Sequence, residues 1–234
     1  MRLAVIPARG GSKRIPRKNV KTFAGKPVIA YSIEAAKCCG LFERIIVSTD
    51  DPEIGETAQS FGAEFPFVRP AELSDDYASS MAVIKHSVQW VEAHWGKVDH
   101  VCCIYATAPF VQVKYLREGY EKLVLAGKSF AFSVTSFPFP IQRAIRLNGE
   151  GCVEMFHPEY YEARSQDMEE AYHDAGQFYW GTATAFMAEV PIFSSGSVPV
   201  ILPRYLVQDI DTPEDWRRAE IMYRVLREEG EIAA

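Results

Sequence analysis

Seven basic side chains, Arg9, Lys13, Arg14, Arg17, Lys18, Lys21 and Lys26, fall within eighteen residues, and no Asp or Glu precedes Glu34. Inside this run Gly10 and Gly11 let backbone amides approach an anion, and the flanking Arg and Lys supply neutralising charge. Such a loop suits a polyanion. It is not a Walker A loop, because Pro16 stands where the second glycine of Gly-x4-Gly-Lys-Ser/Thr belongs, and Gly-x-Gly-x-x-Gly is absent as well. Kinase, ATPase and dinucleotide readings therefore lose their motif. The plain alternative is a solvated basic surface loop. Its place directly after the apolar run Leu3-Ala4-Val5-Ile6 favours triphosphate binding, since nucleotides sit beyond the first strand of a parallel sheet.

A second constellation is Asp209-Ile210-Asp211. Read as the end of a strand over Tyr205 to Ile210, it puts two carboxylates on one face with Ile210 buried behind them. Hard oxygen donors of this kind suit Mg²⁺ held jointly with substrate phosphates. The next residues are a helix start, with Thr212 as cap, Pro213 at the first position and Asp215 at the capping-box position. Glu214 and Asp215 are thereby accounted for, and Asp209 and Asp211 are left for the metal.

The third stretch, Tyr172 to Gly181, is dense in aromatic and hydrogen-bonding groups of the kind that line sugar or base pockets. Its His173-Asp174 pair has no Gly-x-Ser-x-Gly beside it, so no hydrolase triad is read. Just upstream, Arg164 offers either a bidentate grip on a substrate carboxylate or an ordinary surface salt bridge.

The elements that must position these groups alternate. Strands are expected at Leu3–Ile6, Arg44–Thr49, Ala63–Val68, His100–Tyr105 and Phe130–Thr135. Helices are expected over Val28–Cys39, 52–61, about 80–95 with Ser79 or Ser80 as cap, and a stretch from Val113 stopped by Gly127. This βαβ rhythm predicts an α/β fold: a mostly parallel, Rossmann-like sheet with helices on both faces, in a single domain spanning 1–234. The loops at 7–19, 48–51, 69–80 and 105–110 then share one rim. After Ser136 the rhythm breaks into a hairpin pattern around Asn148-Gly149, and residues 137–170 read as an inserted arm, either a plain surface hairpin or a dimerisation arm. Short strands are expected at Ala183–Phe186 and Val198–Leu202, before a C-terminal helix from Pro213 to about Glu229.

Composition narrows the classes. The chain of 234 residues is 48% hydrophobic and 24% charged, with a net charge of −6, which argues against a nucleic-acid-binding surface and makes the basic loop a local feature. No apolar run is long enough to span a membrane and no signal-peptide pattern opens the chain, so the cytoplasm is expected. The five cysteines have neither zinc-site nor disulfide-framework spacing.

Taken together, Ile6-Pro7-Ala8-Arg9-Gly10-Gly11-Ser12-Lys13 with Pro16 and Lys18-Asn19, then Val47-Ser48-Thr49-Asp50, Arg69-Pro70, Ala106-Thr107-Ala108-Pro109 and Asp209-Ile210-Asp211-Thr212, resemble the cytidylyltransferases that activate nine-carbon acidic sugars. The match runs over nearly the whole chain. The resemblance implies the fold of nucleotide-diphospho-sugar transferases and a reaction between CTP and an acidic sugar. It implies that Arg9, Gly10, Gly11, Ser12, Lys13, Lys18 and Asn19 hold the triphosphate and ribose, Arg69 and Ser80 the cytidine, and Asp209 with Asp211 the Mg²⁺. Arg9, Lys13, Asp209 and Asp211 would carry the catalysis. Tyr105, Arg164, Gln166, Gln177 and Tyr179 would face the sugar. Tyr105 and Ala175-Gly176 depart from the sialic acid members, which carry Gln and Asn-Gly there, so pseudaminic acid is the expected substrate ahead of sialic or legionaminic acid. Family members are dimers in which a projecting arm completes the neighbouring site, and a homodimer is expected. A reading of another class is a non-catalytic polyanion-binding module; it leaves Asp209 and Asp211 without a role.

Overall fold

The structure, a computed structural model, describes residues 1–232. Its centre is a six-stranded sheet in the order β10-β6-β9-β5-β1-β4. The strands are β1 (Arg2–Pro7), β4 (Arg44–Ser48), β5 (His100–Ile104), β6 (Phe130–Ser136), β9 (Tyr172–Thr182) and β10 (Ser197–Ile201). Two small ladders stand apart, β2 (Thr22–Phe23) with β3 (Lys26–Pro27), and β7 (Ile145–Leu147) with β8 (Val153–Met155). The helices are α1 (Val28–Cys39), α2 (Pro52–Ser60), α3 (Ser80–His94), α4 (Val113–Ala126), the short α5 (Ala183–Met187) and α6 (Pro213–Glu228).

The pairs β1–β4, β1–β5 and β10–β6 are parallel, while β9 runs antiparallel between β5 and β6. The mostly parallel sheet is therefore as expected, with one reversed strand in its middle. Alternation along β1 feeds two cores. Ala4 and Ile6 join Ile29, Ile33 and Leu116 of α1 and α4, whereas Leu3 and Val5 join Ile84, Val88 and Phe186 on the other face. Burial on both faces explains why β1 reads as an unbroken apolar run.

Chain punctuation explains the helix ends. Ser79 caps α3 by accepting from the Ala82 amide, and Thr212 and Asp215 form the expected capping box at α6. Four expectations need correction. Residues 63–68 form only isolated bridges, Ile46 with Glu64 and Thr49 with Val68, because Pro66 interrupts a ladder. Ala183–Met187 is helical, since the Thr182 hydroxyl accepts from Ala185 N and starts a turn. Residues 205–210 are not a strand, as they contain the end of a 3₁₀ turn, Arg204–Leu206, and then unladdered chain. The β7–β8 hairpin does not turn on Asn148-Gly149 alone. Asn148 Oδ1 accepts from the amides of Glu150 and Cys152, and Gly151 takes the positive φ.

A third cluster joins the basic loop to the C-terminal helix. Fully buried Phe23 meets Tyr31, Trp216 and Tyr223 edge-on at 5.4–5.6 Å between centroids, and Ile15 and Ile210 pack in the same cluster. Aromatic pairs of this geometry add roughly 0.5–1.5 kcal/mol each beyond area burial. They bring residues near 18 and near 210 together.

Candidate active site

The loop after β1 is shaped by its own backbone contacts. Gly10 N donates to Asp50 Oδ1 at 3.0 Å, and a Cβ on Gly10 would stand 2.9 Å from Asp51 Oδ2, so this position excludes a side chain. Buried Asn19 donates from Nδ2 to the Arg9 carbonyl at 2.9 Å and closes the loop on itself. Arg17 pairs with Asp51 and Glu53 and serves the loop's outer face.

The inner face opens on a cleft of about 300 Å³ whose lining includes Arg9, Ser12, Lys13, Arg14, Lys18, Asn19, Ser80, Tyr105, Thr107 and Asp211. A second hollow of about 260 Å³ continues from it along Arg9, Arg69, Asp75, Asp76 and Ser80. The rim expected from strand ends is thus present. Arg69 is only 4% exposed, within 3.6 Å of Asp50, and its Nε donates to Ser74 Oγ.

Two acids hold the basic groups. Asp76 bridges Arg9 at 2.6 Å and Lys13 at 2.5 Å, and these two cations hold its carboxyl below the usual range. Asp211 takes Arg14 at 2.8 Å and Lys18 at 3.4 Å, while Lys18 Nζ also donates to the Ile210 carbonyl at 2.7 Å. Asp209 is exposed, yet the protein packed around it, and then the neighbouring Asp211 charge, push its carboxyl up. Asp211 lines the cleft, and Asp209 is not part of that lining. Two crowded carboxylates are a fitting donor set for a hard divalent cation, which would relieve the repulsion that raises Asp209. Among the described residues no group of three or more His, Cys, Asp or Glu is placed to hold a metal, so an ion here would complete its coordination with phosphate and water.

The residues expected to face a sugar divide. Tyr105 is a wall of the cleft. Tyr179 lies behind it, ring centroids 5.3 Å apart. Gln177 is 4% exposed, and its Nε2 donates to the Leu206 carbonyl at 2.6 Å, anchoring the segment that leads to Asp209 and Asp211. Arg164 and Gln166 lie on the exposed arm, with Arg164 paired to Asp167 at 2.8 Å, and neither lines the cleft of its own chain. Sequence reasoning missed Asp76 and the Arg14–Asp211 pair. Both are contacts across more than sixty positions of chain, for which no local pattern exists.

A parallel-dominated α/β sheet with a basic glycine loop and an acidic pair on one rim is the arrangement of a nucleotidyltransferase. Residues 3–137 match the model of the cytidylyltransferase family, and the chain belongs to that family. The pseudaminic acid cytidylyltransferase of Campylobacter jejuni is 50% identical over 226 residues, covering 97% of each chain. The CMP-N,N'-diacetyllegionaminic acid synthase of Legionella pneumophila is 32% identical, again over 97% of each. The same fold occurs in a CMP:2-keto-3-deoxy-manno-octonic acid synthetase solved with CTP, with a TM-score of 0.69 at 17% identity, covering 96% of this chain and 98% of that one.

Proposed function

We propose that this enzyme joins CTP to pseudaminic acid, giving the CMP-sugar and pyrophosphate. The observation that carries the reading is the single cleft in which Arg9, Lys13 and Lys18 face Asp211 and Tyr105, in a chain half identical to a pseudaminic acid cytidylyltransferase over almost its full length. The sugar's anomeric hydroxyl attacks the α-phosphorus; the new O–P bond forms as the bond to the β-phosphate oxygen breaks, and the hydroxyl proton is lost.

Both substrates are anions, so charge neutralisation is the main catalytic demand. Arg9 and Lys13 leave Asp76 to take the triphosphate, with the amides of Gly10 and Gly11, the Ser12 hydroxyl, Lys18 and Asn19 around the phosphates and ribose. Arg69 and Ser80 serve the cytidine in the adjoining hollow. Asp209 and Asp211 would hold Mg²⁺, which supplies Lewis-acid stabilisation of phosphate charge when bound. Tyr105 forms the sugar wall, supported by Tyr179 and Gln177.

The arm, 137–170, carries exposed Phe139, Leu147 and Tyr161, an apolar surface suited to a second copy of the chain. In the homodimer we propose, Arg164 and Gln166 reach the partner's cleft and meet the sugar carboxylate. Among the described residues no helix is long and apolar enough to cross a membrane. A cytoplasmic reaction is part of the proposal.

The test is Mg²⁺-dependent pyrophosphate release with CTP against pseudaminic, legionaminic, sialic and eight-carbon acidic sugars. Release fastest with pseudaminic acid is expected. Preference for legionaminic or sialic acid overturns the sugar assignment, and no release with any sugar overturns the reaction.

A further inference from the structure

The mechanism above leaves one half-buried acid without a task. Asp174 lies in β9, opposite Val134 of β6 and just beyond the point where the β6–β9 register shifts. Its carboxylate has two donors, the Gly176 amide at 2.9 Å and the Tyr179 hydroxyl. Tyr179 is buried, stacks on Phe132 at 5.9 Å and tilts against Tyr105 at 5.3 Å. The Tyr105 hydroxyl in turn is flanked by the hydroxyls of Tyr179 and Ser80, and the Tyr105 carbonyl accepts from Ser32 at 2.7 Å. Burial pushes both phenols up, so both remain donors at neutral pH. An ionised carboxylate only accepts. Asp174 therefore fixes the direction of the Tyr179 proton, and with it the tilt of the Tyr179 ring against Tyr105.

We infer that Asp174 is a positioning residue for the sugar half of the cleft: its carboxylate holds Tyr179, and through Tyr179 it holds Tyr105, the wall against which the acidic sugar is placed. This rests on the function proposed above. A side chain that reaches the cleft through one hydrogen-bonded ring packed on a second acts on sugar placement and leaves the triphosphate cations untouched.

The test is kinetic and spectroscopic. Asp174→Ala is expected to raise KM for the sugar about tenfold, the scale of a buried donor left unmatched, with KM for CTP within about twofold. Tyr179→Phe should do the same, and the double variant should be no worse than either single, because both remove one link. Asp174→Asn, which retains an acceptor oxygen, should recover most of the loss. An equal loss toward CTP and sugar, or losses that multiply in the double variant, overturns the inference. Independently of turnover, 3-fluorotyrosine placed at position 105 should shift its ¹⁹F resonance in Asp174→Ala and in Tyr179→Phe, but not in Lys85→Ala at the surface. An unmoved resonance in Asp174→Ala overturns the coupling. A moved resonance in a protein that turns over no acidic sugar instead brings down the proposed function and leaves the coupling standing.

Discussion

Asp76 sits between Arg9 and Lys13, the two cations proposed to take the triphosphate. In that reading CTP displaces it, so Asp76→Asn is expected to lower KM for CTP by about two- to fivefold, the range of one exposed ion pair. A rise in KM would show instead that Asp76 assists the bound nucleotide. Because Arg9 and Lys13 hold this carboxyl below its ordinary range, the contact is present above the usual Asp pKa and is lost as pH falls through the lowered one. Lys13→Ala and Asp211→Asn are each expected to lower kcat by about 10², the scale of losing an electrostatic stabiliser of the transition state. Near-normal turnover in a folded Asp211→Asn protein would remove the metal role. Asp209 titrates in the opposite sense. Its raised carboxyl keeps a proton at higher pH than an ordinary Asp, and a Mg²⁺ ion held there as proposed would have to displace that proton. The Mg²⁺ concentration giving half-maximal pyrophosphate release should therefore climb on acidification while the pH is still above the usual Asp pKa, and Asp209→Asn should abolish that component.

At the scale of elements, α6 places Asp211, and the capping box sets where α6 begins. Thr212→Ala removes the hydroxyl that accepts from Asp215 N, at a cost of about 1 kcal/mol. Thermal unfolding should show the loss, with a KM change for CTP if the start of α6 shifts as well. Such signals were legible before any coordinates, because caps and stops act over three or four residues: α1, α3, α4 and α6 lie where their punctuation puts them. β9 was not. Its mixture of polar, aromatic and glycine residues has no strand alternation, and its place depends on pairing with β5 and β6, distant in sequence. The Ala183–Phe186 run shows the other limit. A stretch as short as Ala-Thr-Ala-Phe suits a strand or a helix equally, and the Thr182 cap decides. In the site, the basic glycine loop and its place on the rim could be read from residue type and position, whereas the Gln177 anchor on Leu206 and the Asp76 bridge are products of tertiary packing.

For the molecule as a whole, the proposed dimer makes a separable demand. Phe139 and Leu147 are 80% and 73% exposed in the single chain. Replacing both with Asp should yield a protein of monomer mass by sedimentation, with the sheet intact by circular dichroism. Its sugar KM should rise far more than its CTP KM, since Arg164 and Gln166 would no longer reach a partner. A dimer that survives the double substitution would locate the interface elsewhere.

The root of the arm has a consequence beyond assembly. Ser136 at the end of β6 and Tyr172 at the start of β9 face each other in the ladder. Everything between them leaves the sheet and returns to the same place, so its length is nearly invisible to the core, and lengthening such an excursion adds closure entropy only logarithmically. Insertions, deletions or wholesale exchange of this segment can therefore accumulate in a lineage while the nucleotide half stays unchanged. A descendant of this chain could acquire a new partner, or a new sugar, by rewriting one detachable loop.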